Sequence, residues 1–227
     1  MVVTKAVIFD LDGTLIDSVG DIHAALNVML ASRGAGPLDL ATVRGFIGKG
    51  SSNLVMRCLH ALHLPCGPED HAAALDEFIT IYTAGSANHT CLFDGVPAAL
   101  ARLQDQGCRL AICTNKPLQP TRVVLDQFEL TGFFDVVVGG DQLPTRKPDP
   151  EMLYHALALL DAPACLFVGD SEIDCETAQA AAQDFALFTK GYRKTSVTAL
   201  NPRYHFDNFA ALPDMVEAFY ASRPAGA

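Results

Sequence analysis

Residues 7–15 read VIFDLDGTL: an apolar run gives way to two carboxylates, Asp10 and Asp12, set one residue apart. Two charges held close together at the end of an apolar strand are costly unless a cation or a proton compensates them. The pair therefore predicts a metal, a proton-transfer role, or both. The plainer alternative is a strand that simply ends in an Asp-Gly turn, and this stretch alone does not choose between the two.

The rest of the chain supplies a context. Further apolar, β-branched runs occur at Arg109 to Cys113, Phe133 to Val138 and Cys165 to Val168, with a weaker one at Phe185 to Phe188, and the first run itself begins at Val2. Helical patterns separate most of them, at Pro97 to Gln106 (closed by Gly107), Leu118 to Phe128, Glu151 to Leu160 and Glu172 to Gln183. Strands alternating with helices predict an α/β fold, a doubly wound parallel sheet with a Rossmann-like core. Ligands bind such sheets beyond the carboxyl ends of the strands, so chemistry-bearing groups are expected just after each run.

Between the first and second runs the alternation breaks for about 75 residues, too long for a simple crossover. One helical face there carries Ile22, Leu26, Met29 and Leu30, with Asp17 or Ser18 as N-cap and Gly34 as stop. Val55, Cys58, Leu59 and Leu62 form a second stripe, and Leu75, Phe78, Ile79 and Tyr82 a third. These stripes predict an inserted helical-bundle cap domain at 17–91, over a core made of 1–16 and 92–227. No repeat or low-complexity segment is seen, and 223–227 reads as a frayed end.

Of 227 residues half are apolar, enough for a sizeable core, and the net charge is -10. That charge argues against sequence-independent nucleic-acid binding, which needs a cationic surface. No apolar run approaches a membrane span and no signal peptide is evident, so the expected location is cytoplasmic. Seven cysteines, none in a CxxC pair, suit that compartment. Cys58, His60, His63 and Cys66 cluster in sequence like a zinc site, but Cys58 belongs to an apolar stripe from which both histidines point away.

Four segments deliver polar groups to the expected edge: Asp10 and Asp12 after the first run, Thr114 and Asn115 after the second, Lys147 after the third and Asp170 after the fourth. The stretches that carry them, VIFDLDGTL, ICTNK, RKPDP and GDSEID, resemble in content and order the four motifs of the haloacid dehalogenase-like hydrolase superfamily. The helical insertion after the first motif is similar to the subfamily with a bundle-type cap, which includes phosphoglycolate phosphatases, β-phosphoglucomutases and other small-molecule phosphatases. Gln183, where many relatives have Gly, and Cys91, at the return to the core, depart from the pattern without touching the motifs.

In physical terms, and as the resemblance implies, Asp10 is the nucleophile that forms an aspartyl-phosphate, and Asp12 is the acid and base at the leaving oxygen. Asp10 and Asp170 can hold a hard cation, with Mg²⁺ expected. The resemblance adds the Asp12 backbone carbonyl as a metal ligand, and Asp174 is expected to support the site from outside the ligand set. Lys147, Thr114 and the backbone around Asn115 are expected to bind the phosphoryl oxygens, although Thr114 alone could be a turn hydroxyl bonded to its own backbone. Asp12 favours phosphoester over carbon-halogen chemistry, because an alkoxide leaving group needs a proton.

In the expected cap, VRGFIGKGSSNLV (residues 43–55) offers Lys49 beside a helix start as a site for a second anionic group of the substrate, such as a carboxylate. An ordinary glycine turn with a helix cap fits the same residues, and Arg44 could assist. With HFDNFAALPDM (205–215), this stretch resembles bacterial phosphoglycolate phosphatases. The expected partner is thus a small phosphorylated metabolite, with 2-phosphoglycolate first. A phosphosugar mutase and a phosphate-binding module that has lost turnover are the alternatives, and the oligomeric state is left open.

Overall fold

The computed structural model describes residues 4–85 and 88–222. Along the chain, β1 (Lys5–Phe9) and the two-residue β2 (Ile16–Asp17) precede four helices: α1 (Val19–Ser32), α2 (Leu40–Arg44), α3 (Gly50–Ala61) and α4 (Pro68–Gly85). β3 (Cys91–Leu92) leads into α5 (Val96–Asp105), β4 (Cys108–Cys113), α6 (Leu118–Gln127), β5 (Val136–Val138), α7 (Glu151–Leu159), β6 (Cys165–Gly169) and α8 (Glu172–Ala180). β7 (Asp184–Phe188), the short α9 (Val197–Leu200), β8 (Tyr204–Phe206) and α10 (Leu212–Ala221) complete it.

Six strands form one sheet in the order β5-β4-β1-β6-β7-β8, every pairing parallel. The apolar run of β1 is explained by burial on both faces. Val7 and Phe9 pack with α5, α6 and α10 on one side, while Ala6 and Ile8 pack with α7 and α8 on the other. The sheet is therefore doubly wound. After β1 the chain builds outward through β4 and β5, then returns to the other side of β1 for β6, β7 and β8. That reversal opens a crevice at the carboxyl ends of β1 and β6, where Asp10 and Asp170 lie.

Helices α1 to α4 share a third apolar cluster of their own. Ile22, Leu26, Met29 and Leu30 are buried in it with Val55, Cys58, Leu59, Phe78 and Tyr82, while Leu62, Leu75 and Ile79 are partly buried against it. The chain leaves the sheet and returns through the antiparallel pair β2 and β3, with Ile16 opposite Leu92. Gly34, at φ +69°, takes the left-handed turn that closes α1, and the Ala35 amide returns to the Leu30 carbonyl. Cys58 lies in this apolar cluster, whereas His60 and His63 are exposed.

Two expectations need correction. The run from Phe133 to Val138 is a strand only at Val136–Val138, preceded by a 3-10 turn at Thr131–Phe133. There the Asp135 carboxylate accepts from the Leu110 amide at 3.0 Å, so a side chain takes over a ladder bond and the pairing begins late. The fourth-motif helix stops at Ala180 rather than Gln183, with Ala182 in the left-handed region. HFDNFAALPDM forms β8, a 3-10 turn and the start of α10, elements not foreseen from the pattern. Val2 and the 223–227 segment lie outside the described residues. No described helix is long and apolar enough to cross a membrane.

Candidate active site

Asp10 follows β1 directly, its amide bonded to the Val168 carbonyl at 2.9 Å, which fixes its backbone between the two central strands. Its Oδ1 accepts from Lys147 Nζ at 2.8 Å, and Oδ2 accepts no hydrogen bond from a described residue. Lys147, delivered by the loop between β5 and α7, donates also to Asp174 Oδ1 at 2.6 Å. The other oxygen of Asp174 accepts from the Asp170 and Ser171 amides and the Ser171 hydroxyl. Asp174 thus ties the start of α8 to Lys147.

Asp170 follows β6 and is almost fully buried. Thr14 Oγ1 donates to its Oδ1 at 2.9 Å and the Tyr192 amide to its Oδ2 at 2.5 Å. Two glycines permit this closeness. A Cβ on Gly13, which also has φ +91°, would lie 2.6 Å from Asp170 Oδ2, and one on Gly191 would lie 2.3 Å from it. Carboxylate oxygens of Asp10, Asp170 and Asp174 lie within 4.8 Å of one another, all three residues buried. An all-oxygen anionic set of this kind suits a hard divalent cation.

The electrostatics agree with that fit. Burial pushes the Asp10 carboxyl up to about 6, Lys147 opposing and Asp174 and Asp12 adding to the rise. Asp170 is driven well above the ordinary carboxylate range, by burial first and then by Asp174 and Asp10. Burial works against the Lys147 ammonium, but Asp10 and Asp174 outweigh it and hold it above the usual lysine value. More negative charge is buried here than one lysine compensates.

A stability prediction follows. Because the folded values of Asp10 and Asp170 lie above their unfolded ones, their contribution is complete below the unfolded value of 3.8 and is lost as pH rises through about 6. Asp39 and Glu77 are lowered, by hydrogen bonds from Thr42 and from Ser32 and Arg33, so their contributions vary only at lower pH. Chelator-treated protein should lose at least about 1 kcal/mol between pH 5 and 7 in urea titrations. Stability that is flat or rises across that window would contradict the buried-charge argument.

Asp12 is oriented separately from Asp10. Its Oδ1 accepts from Ser18 Oγ at 2.6 Å and from Lys116 Nζ at 3.0 Å. Ser18 does occupy the N-cap position of α1, but its hydroxyl makes no cap bond and serves Asp12 instead. Thr114 is buried at the end of β4, and its hydroxyl oxygen accepts weakly from the Lys116 amide at 3.3 Å, the turn contact considered above, while the side chain also lines the cavity beside Asp12. The Asn115 side chain is committed to structure: it exchanges two 3.0 Å bonds with the Lys147 backbone and donates to the Gly48 carbonyl.

Two cavities meet at the aspartates. The larger, outer one, about 280 Å³, is lined by Asp10, Asp12, Lys147, Asp170 and Asp174, with Lys49, Arg57 and Lys194 around it. The smaller, inner one, about 50 Å³, is lined by Asp10, Asp12, Thr114 and Lys116 together with Ile22, Leu54 and Phe78, and by Gly48, Gly50 and Ser51 at the start of α3. Lys49 is the exposed N-cap residue of α3 and lines only the outer cavity of the two. Arg44 donates to the Gly191 carbonyl and lies 5.0 Å from the centroid of the Tyr192 ring, so it braces α2 against that loop.

Four participants escaped the sequence reading: Thr14, Ser18, Lys116 and Tyr192. Thr14 and Lys116 stand inside the motif stretches, so their position was a signal. Ser18 and Tyr192 had none.

Comparison with known proteins places this geometry. A phosphoglycolate phosphatase of Rhodobacter capsulatus is 46% identical over 216 residues, 94% of this chain and 97% of its own. Another, from Rhodospirillum rubrum, is 40% identical, covering 92% of this chain and 90% of its own. The crystal structure of a predicted phosphoglycolate phosphatase from Haemophilus somnus 129pt superposes with a TM-score of 0.88 at 28% identity, over 95% of this chain and 99% of that one. The family model for haloacid dehalogenase-like hydrolases matches residues 7–188, from the first aspartate motif to the end of β7. The chain belongs to the haloacid dehalogenase-like hydrolase family.

Proposed function

We propose that this protein is a Mg²⁺-dependent phosphatase that converts 2-phosphoglycolate to glycolate and phosphate. The observation that carries the reading is the arrangement at Asp10: Oδ2 without a hydrogen-bond donor among the described residues, Lys147 on Oδ1, and a second carboxylate, Asp12, held apart by its own donors. The phosphoglycolate phosphatases at 40–46% identity point to the same ester.

Asp10 attacks phosphorus through a carboxylate oxygen, and the phosphorus–ester oxygen bond breaks as Asp12 gives its proton to the departing alkoxide. Glycolate leaves, and Asp10 carries an aspartyl-phosphate. Asp12, now ionised, takes a proton from water as that water attacks phosphorus, which releases phosphate, frees Asp10 and restores the proton on Asp12. Lys147 and Thr114 bind the phosphoryl oxygens. Asp10, Asp170 and the Asp12 backbone carbonyl would hold Mg²⁺, which when bound offsets repulsion between the nucleophile and the phosphate dianion. Residues 17–91 act as a cap over this centre.

The inner cavity, about 50 Å³, has room for about four waters at roughly 10–15 Å³ each, the scale of a methylene carboxylate.

The test is phosphate release with and without Mg²⁺ from 2-phosphoglycolate, p-nitrophenyl phosphate and glucose 1-phosphate. Magnesium-dependent release, fastest from 2-phosphoglycolate, is expected. No turnover of any of them would reject the enzyme, and preference for the sugar phosphate would reject the substrate.

A further inference from the structure

Lys116 is a buried cation that the reaction just described does not use. Its side chain is only 2% exposed, yet it lines the inner cavity and is the one cationic residue among the described residues that do. The ammonium donates to Asp12 Oδ1 and to the Tyr82 hydroxyl, and it lies 4.3 Å from the centroid of the Tyr82 ring. An ammonium has three donors. Described residues engage two of them, and the third is available to a ligand.

Position gives that donor a purpose. Asp10 and Asp12 line both cavities, Lys147 the outer one alone and Lys116 the inner one alone, so a phosphoryl group bound by Lys147 leaves the inner cavity to whatever the substrate carries beyond the leaving oxygen. Ile22, Leu54 and Phe78 offer nothing to an anion, and Gly50 and Ser51 at the start of α3 add only neutral groups, so the ammonium is the charge available there, and an ion pair beside apolar side chains is stronger than one in open water. We infer that Lys116 is the specificity-determining residue that receives the carboxylate on the untransferred part of the substrate. The inference rests on the phosphoglycolate reading and deepens it. It is an alternative to the expectation for Lys49, which is exposed and lines only the outer of the two cavities.

Two experiments test it. In the first, kcat/KM is compared for 2-phosphoglycolate and its amide analogue, 2-phosphoglycolamide, which has the same shape without the charge. Lys116→Met should reduce the preference for the acid about 100-fold, in line with loss of a buried charged contact, whereas Lys49→Ala should hold it within about threefold. Equal losses on both compounds in Lys116→Met would mean that the lysine serves only to position Asp12, and would overturn the inference, as would a selective loss in Lys49→Ala instead.

The second reads binding without turnover. Calorimetry with Mg²⁺-loaded protein should show glycolate binding more tightly than glycolamide in the wild type, and this difference should vanish in Lys116→Met. A wild type that does not discriminate between the two overturns the inference even if the variant fails to fold. Failure of the wild type to hydrolyse 2-phosphoglycolate, alongside Lys116-dependent glycolate binding, would reject the proposed substrate and leave the carboxylate site standing.

Discussion

Asp10→Asn is expected to lower phosphate release by at least about 10⁴-fold, the scale seen when a covalent nucleophile is removed, with the fold intact. The amide keeps an oxygen where Lys147 donates at 2.8 Å, but it has no negative charge with which to attack phosphorus. Stability should not suffer. Burial drives the native carboxyl up to about 6, so above that pH its charge is a cost that the amide removes, and Lys147 retains Asp174 at 2.6 Å. In chelated protein at pH 8 the variant should therefore unfold at the same or higher urea than wild type. Acid-quenched wild type incubated with substrate should carry one phosphoryl group on the peptide containing residues 7–15, and the variant none. Activity within tenfold of wild type, or a phosphorylated variant peptide, would remove Asp10 from the nucleophile's role.

What could be read in advance followed from local pattern. β1 is legible because burial on both faces demands an unbroken apolar run, and the charges that end it must lie at the sheet's edge. The same reasoning located Thr114 and Asp170 at the ends of β4 and β6 and Lys147 after β5. Contacts made across long separations were not legible. Thr14 reaches Asp170 across 156 residues and the Tyr192 amide reaches it across 22, and nothing in either neighbourhood announces the partner. Ser18 shows how a correct local assignment can hide a role: it does sit at the N-cap, but its hydroxyl bonds to Asp12.

Tyr82 likewise belongs to its apolar stripe while its hydroxyl meets Lys116. Lys49 illustrates the converse. The glycine-flanked helix start is present, but sequence spacing does not determine which of two adjoining cavities a flexible side chain lines. Spacing is reliable for the period of an element and for where it ends. It does not report what the folded chain brings opposite.

Lys147→Met should have the largest effect on stability, because it removes the single ammonium that pairs with both Asp10 and Asp174. Methionine nearly matches the volume of the buried side chain and can fill its space. The loss is therefore electrostatic rather than a cavity. Breaking a buried pair by removing one partner costs about 3–5 kcal/mol, and here two carboxylates lose their counter-charge with Asp170 close by. The deficit should depend on pH in a defined direction. Asp10 and Asp170 are already raised in the presence of the lysine, and without it their protonated forms are favoured further. The variant should thus recover much of its stability as pH falls from 7.5 to 5, and by a larger margin than the wild type. Mg²⁺ at neutral pH should restore part of it by binding only the folded carboxylates. Catalysis should not recover with it, since the phosphoryl oxygens still lack their ammonium; a fall of about 10³-fold in kcat is expected. Urea titrations at both pH values, with and without Mg²⁺, measure the effect. A deficit of equal size at pH 5 and 7.5 would show that Lys147 contributes packing, and that the buried carboxylates are compensated by something other than its charge.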